Sequence, residues 1–313
     1  MKKNLGYTKP LYILPFDHRN TFAKALFNKD ETQLTVQEKD TIKDMKYVIL
    51  LGFKKALQLG IPKGDSAILV DEDFGEKVLQ SAKAEGITRI LTTEKSGQEE
   101  FDFDYGKNFG KHINKYKPEI VKALVRYNPL GDEKINLSQR KKLLELSNFC
   151  IKEDYKFLLE PLVIPTKEQL SVMNSDIELF ERQARPQLIT EMVTQIQDAG
   201  IEIDIWKLEG MFTSANYRTV VNQIKTGGRD NVILVVLGQG DKKEHVELWL
   251  SQGAQVDGVA GFAVGRTVFL EPIKALYTKT LSQDEAIDVI SQNFLEFYTV
   301  FVNAKKGSEL QVI

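Results

Sequence analysis

The 313-residue chain is 42% hydrophobic and 27% charged, a globular composition that excludes a disordered or fibrous protein. Its 42 basic and 44 acidic side chains leave a formal net charge of -2, without the concentrated basic footprint that nucleic-acid binding requires. No run approaches the ~18 apolar residues of a membrane span, and the first ten residues lack the apolar stretch of a signal peptide, so a cytoplasmic protein is expected.

In chain order, short aliphatic and β-branched runs alternate with longer amphipathic segments, the pattern of a parallel sheet covered by helices. The expected strands are 11–16, 66–71, 88–92, 120–126, 155–160, 202–208, 231–237 and 256–261. Helices are expected near 38–59, 74–84, 107–116, 137–152, 181–199, 214–226, 242–252 and 266–277. Gly60, Gly86, Gly200 and Gly253 stand where helices should end, a place that favours glycine because no Cβ resists the left-handed turn. Segment 20–40 reads as a polar excursion at the rim. A further amphipathic run over 281–303, with Phe294, Phe297 and Phe301, reads as an extra carboxyl-terminal helix packed on the wall. These two segments are the candidate contact elements of a homo-oligomer.

Eight such units predict a (β/α)8 TIM barrel in one domain spanning 1–313, with its core over about 11–277. A doubly wound sheet would want a Gly-rich fingerprint after its first strand, where this chain has Phe16-Asp17-His18-Arg19-Asn20. No Walker A motif is present either. The single cysteine, Cys150, lies in an apolar-periodic segment and reads as a core thiol. His112 and His245 fall on expected helices and read as solvent-facing.

Strands covered on both faces should be apolar, yet ionisable residues gather at their carboxyl ends: Asp17, Asp71, Arg126, Glu160, Lys207 and Glu209. A buried charge costs several kcal/mol unless paired, so six at one end predict a polar cavity. Period-two alternation groups Ile203, Ile205, Lys207 and Glu209 on one face, and Lys122, Leu124 and Arg126 on another; which face turns inward is left open. Lys207 is the nucleophile candidate. A lysine that loses its proton through burial and a neighbouring cation such as Lys122 attacks a carbonyl to form a Schiff base. Glu160 is placed to shuttle protons, Asp17 to take one from a substrate hydroxyl, and Lys122 offers an alternative acid or base.

Gly238 and Gly240 follow the seventh strand, while Gly261, Gly265 and Arg266 follow or end the eighth. Phosphate binding by the loops after strands seven and eight is a recurrent barrel arrangement, and an arginine adds a bidentate grip. His18, Arg19, Arg126 and Asp71 complete the expected substrate contacts. Neither a metal site nor a cofactor is expected; the run Asp71-Glu72-Asp73 reads as a helix cap or a substrate contact rather than a cation site. The expected partner is a small phosphorylated molecule.

The strings LYILPFDHR, ILVDEDFG, ALVRYNP, FLLEP, WKLEG and GFAVGRTVFLEP resemble the class I aldolase barrels related to tagatose-1,6-bisphosphate aldolase. In particular they resemble the aldolase-like domain fused to the sugar kinase of inositol catabolism. The likeness runs from Leu11 to about Pro272, and WKLEG combined with GFAVGRTVF is its specific part. It implies Lys207 as the Schiff-base lysine, Glu160, Lys122 and Asp17 as its catalytic partners, and Gly261 to Arg266 with Gly238 and Gly240 as the phosphate segment. It further implies cleavage of 2-deoxy-5-keto-gluconate 6-phosphate or, as in other members, of a ketose bisphosphate. The chain shows no kinase segment, so a stand-alone aldolase, a member with shifted substrate or a related protein of unassigned activity is expected. A barrel isomerase or epimerase and a non-catalytic phosphosugar-binding regulator are the competing readings.

Overall fold

The computed structural model describes residues 5–309. Eight parallel strands close on themselves in sequence order: β1 (Leu11–Pro15), β2 (Ser66–Val70), β3 (Thr88–Thr92), β4 (Ile120–Arg126), β5 (Lys156–Leu162), β6 (Ile205–Glu209), β7 (Ile233–Leu237) and β8 (Val259–Ala263). The closing pair sets Leu11 against Gly261 and Ile13 against Ala263. Around them run α1 (Asn20–Phe27), α2 (Val36–Gln58), α3 (Glu72–Ala84), α4 (Phe109–Tyr116), α5 (Glu133–Glu153), α6 (Lys167–Val172), α7 (Ile177–Gln183), α8 (Arg185–Asp198), α9 (Ser214–Ile224), α10 (Lys243–Ala254), α11 (Arg266–Tyr277) and α12 (Gln283–Glu309). The expected TIM barrel with an extra carboxyl-terminal helix is the fold observed. Among the described residues, no helix is long and apolar enough to cross a membrane.

Two apolar layers follow from the strand alternation. Leu11, Ile13, Ala67, Leu69, Ile90, Ile120, Leu158, Ile205, Val235 and Ala263 fill the barrel interior. Their outward neighbours, among them Leu14, Ile68, Leu91, Val121, Leu159, Trp206 and Val236, pack against the helices. The inward face left open by the sequence is therefore the one carrying Asp17, Lys122, Glu160, Lys207 and Glu209 above that interior layer. Helix α12 spends its apolar stripe within the chain: Ala286, Ile290, Phe294, Phe297 and Phe301 are buried, and the Phe294 ring meets Phe53 of α2 and Phe262 of β8. Cys150 is buried in the core.

Some elements differ from the expected ones. The sixth strand starts at Ile205 rather than 202, because the buried Asp204 side chain accepts from the Gly6 and Phe157 amides and pairs with Lys156 under the barrel floor. The eighth starts at Val259, after a turn through Gly258 at φ 101°. The polar excursion hides α1, whose Phe22, Ala23 and Leu26 are buried beneath a polar outer face. The helix expected over 181–199 is interrupted between α7 and α8, where Pro186 occupies the first turn of the second helix. His112 is buried, 3.1 Å from Glu72 and stacked on Tyr105, and so is not solvent-facing.

Candidate active site

At the carboxyl end of the barrel a cavity of about 600 Å³ opens between the strand ends and the following loops. Its wall repeats the inward parity of most strands: Asp17 after β1, Thr92 of β3 and Glu94 beyond it, Lys122 and Arg126 from β4, Glu160 from β5, Lys207 and Glu209 from β6, Gln239 after β7. The long connections after β3 and β5 rise around this mouth, where the polar strand ends stand above the apolar interior layer.

Lys207, Lys122 and Glu160 are all buried. The Lys207 ammonium lies 2.9 Å from Glu160 Oε2, and Lys122 lies 3.2 Å from the same oxygen. Lys122 also pairs with Asp17 Oδ2 at 3.0 Å and with Glu94. One carboxylate thus serves two lysines, while Lys122 is surrounded by three carboxylates. Burial opposes charge on Lys122, but Asp17, Glu94 and Glu160 outweigh it and push its pKa well above the ordinary lysine value. A lysine held so firmly as ammonium is a poor general base, and its role is that of a fixed positive charge.

The carboxyls respond differently. Burial raises the Asp17 pKa, but Lys122, His18 and Lys207 overcome it and hold the group well below the carboxylate range. Glu160 is likewise lowered: burial is opposed by Lys207 and Lys122. Glu94 is raised, burial winning over Lys122 with Asp17 adding repulsion. Burial lowers His18 to about 4, so its imidazole is neutral at physiological pH; Asp17 works against that shift, while Arg266 and Lys207 reinforce it. The cluster therefore holds two ionised carboxylates, Asp17 and Glu160, within reach of two lysines.

A family model described as an uncharacterized protein conserved in bacteria (DUF2090) matches residues 3–305. The chain belongs to this DUF2090 family. Among curated proteins no match was found. Solved structures share the fold of this DUF2090 protein. Cgl0159 from Corynebacterium glutamicum aligns with a TM-score of 0.55 at 15% identity, over 91% of this chain and 85% of that one. Fructose-bisphosphate aldolase from Plasmodium falciparum, solved in complex with TRAP and a small-molecule inhibitor, aligns with a TM-score of 0.65 at 13% identity, over 92% and 90%.

In the DUF2090 protein the expected phosphate segment divides. Gly240, Gly265 and Arg266 line the cavity. Gly238 does not; its amide is spent on the Ala263 carbonyl at 3.1 Å. Gly261 lies within β8, so close to β1 that a Cβ would sit 2.0 Å from the Leu11 carbonyl oxygen, and it serves barrel closure. His18 and Arg126 reach the cavity, Arg126 from its exposed edge with one donor on the Gln98 carbonyl at 2.6 Å. Arg19 lines it too, but its guanidinium is taken up by Asp73 at 2.7 Å, Asp104 at 2.8 Å and the Glu94 carbonyl at 3.0 Å. It clamps the loops after β1 and β3 to the first turn of α3.

Asp71 stands outside the cavity. Strand β2 ends at Val70, and Asp71 turns outward to cap α3 through the Phe74 amide and to pair with Lys46 of α2. The three acids of the run Asp71-Glu72-Asp73 thus meet three different cationic or imidazole partners: Lys46, His112 and Arg19. Glu94 and Gln239 were not among the expected site residues, and Glu209 was noticed only as a strand-end charge. Glu94 continues the inward parity of Ile90 and Thr92, a signal lost when the third strand is ended at Thr92.

Proposed function

We propose that this protein is a class I aldolase, a carbon–carbon lyase that works through a Schiff base on Lys207. The observation that carries the reading is the Lys207–Glu160 contact of 2.9 Å on the wall of a cavity that also presents Asp17 and Arg266. Lys207 passes a proton to Glu160, and the freed amine adds to a substrate ketone carbon. Glu160 returns that proton to the carbinolamine hydroxyl, which leaves as water and generates the iminium. Lys122, fixed as a cation, holds the same Glu160 oxygen at 3.2 Å.

Asp17, kept ionised by Lys122, then accepts the proton of the hydroxyl on the β-carbon. As the carbon–carbon bond breaks, its electron pair moves toward the iminium nitrogen and an aldehyde departs. Protonation of the resulting enamine carbon and hydrolysis by water release the second product and regenerate the lysine. No step needs an external oxidant or reductant.

The proposed substrate is a phosphorylated keto-sugar or keto-sugar acid whose phosphate meets Arg266, with Arg126 across the mouth for a second anionic group. The local strings that resemble the inositol-catabolism domain favour 2-deoxy-5-keto-gluconate 6-phosphate, cleaved to dihydroxyacetone phosphate and malonic semialdehyde; a tagatose- or fructose-bisphosphate-type ketose is the alternative.

Borohydride added with dihydroxyacetone phosphate should leave a reduced adduct on the Lys207 peptide, detected by mass spectrometry and absent in Lys207→Ala. Full turnover by Lys207→Ala on any cleavable phosphosugar would overturn the imine mechanism. Exchange of a substrate C–H with solvent without adduct or cleavage would instead mark an epimerase. Saturable phosphosugar binding that raises Tm without turnover would mark a regulator. Turnover abolished by EDTA would argue for a metal-dependent reaction.

A further inference from the structure

Behind the cavity wall, a chain of contacts leads from α8 to the anion-facing arginine. Glu209 is the last residue of β6 and is buried. Its Oε2 accepts the Val163 amide at 2.9 Å, and its Oε1 accepts the Gln239 side-chain amide, also at 2.9 Å. Arg185 of α8 stands 3.5 Å behind Oε1 and is itself held by Glu181 at 2.8 Å. Each Glu209 oxygen thus already accepts a hydrogen bond from the protein.

Gln239 is the next link. Its backbone lies in the left-handed region at φ 53°, a conformation that costs a residue with a Cβ and persists only where surroundings enforce it. The side-chain amide on Glu209 is such an enforcement. In this conformation the Gln239 carbonyl oxygen accepts the Arg266 guanidinium. Gly240, at φ 73°, leaves room for that guanidinium: a Cβ there would lie 2.5 Å from Arg266 Nε. The turn after β7 thus shapes a seat for the arginine, and Glu209 anchors the turn.

We propose that Glu209, acting through Gln239, is a positioning residue that fixes the place from which Arg266 holds an anionic group. This rests on the reading of Arg266 as the phosphate contact, and it deepens that reading by assigning who aims the arginine. A guanidinium offers two parallel donors only when its plane is set, so loosening the seat weakens anion binding without removing the charge.

The test uses inorganic phosphate as the probe, titrated calorimetrically into the full chain and its variants. Arg266→Ala should abolish binding. Gln239→Gly keeps the left-handed turn without strain but loses the anchor; it should hold or raise Tm while weakening phosphate about tenfold, a split that a merely structural role would not produce. Glu209→Ala should weaken phosphate similarly. Glu209→Gln should restore affinity to within about twofold, since its amide oxygen can accept from Val163 and its NH2 group can donate to a flipped Gln239 amide. If Arg266→Ala abolishes binding while Gln239→Gly and Glu209→Ala keep wild-type affinity, the positioning role is overturned and the anion site stands. If the wild-type chain binds no phosphate, or Arg266→Ala binds as well as wild type, the anion site itself falls and this inference with it.

Discussion

Lys46 and Lys207 are each buried against a carboxylate, and their settings differ. Lys46 and Asp71 form a closed pair between α2 and the end of β2, both fully buried, with the Lys46 ammonium 5.2 Å from the Phe22 ring centre and 5.6 Å from that of Phe74. Lys207 and Glu160 form an open pair: the carboxylate is shared with Lys122, and the lysine faces a cavity. The closed pair lines no part of the cavity, and Asp71 spends its other oxygen on the Phe74 amide. In the open pair a second cation competes for the same oxygen, and a substrate has room to approach. Burial of a lysine is therefore the weaker functional signal; a shared carboxylate beside free volume is the stronger one.

The largest effect expected from breaking the open pair is on turnover. Glu160→Gln removes the proposed proton carrier and should cut turnover by roughly 10²- to 10⁴-fold, with slower formation of the borohydride-trapped adduct. Its kinetics should be compared with those of Lys46→Ala, where the adduct on Lys207 should form at the wild-type rate and Lys46 should stay unlabelled. A slow adduct in Lys46→Ala would erase the distinction between the two pairs.

Breaking the closed pair should instead cost stability. Lys46→Ala leaves Asp71 buried without its cation, a change worth about 3–5 kcal/mol. Burial already raises the Asp71 pKa against the pull of Lys46. The denaturation midpoint in urea reads the loss, and Lys46→Met combined with Asp71→Asn should recover part of it. A Lys46→Ala midpoint unchanged from wild type would show that the pair contributes nothing to the fold.

The smallest effect concerns Glu209, which borders the open site but titrates as a structural group. Burial raises its pKa to about 7, with Arg185 pulling the other way. The folded chain then keeps a proton that the unfolded chain releases near pH 4.5, so stability from this group falls as pH rises from about 4.5 to about 7 and is level above. The contribution is on the order of 3 kcal/mol. Glu209→Gln should flatten this part of the stability–pH curve, measured as Tm across pH 4 to 8; parallel curves for the two proteins would refute it.

Much of the site was legible because parallel strands tolerate few charges. Asp17, Lys122, Glu160 and Lys207 stood out against apolar runs, and the structure brings all four together. Asp71 followed the same pattern, and of its two readings, helix cap or substrate contact, the structure shows the cap: β2 ends one residue earlier than expected and the side chain holds the Phe74 amide. Arg19 lines the cavity, but Asp73 and Asp104, distant in sequence, take up its guanidinium. Glu94 escaped notice because it lies two residues beyond the expected end of its strand.

By itself the sequence determined the alternation of eight apolar runs with amphipathic helices, the extra α12 and the strand-end charges, because these are local patterns of burial that repeat at fixed periods. Only the tertiary structure decided which strand face turned inward, since both faces of a covered parallel strand are apolar and closure alone distinguishes them. It also decided that Glu160 would serve two lysines, and that Gln239 would seat Arg266, because those contacts join residues 27 to 47 positions apart, across neighbouring strand ends.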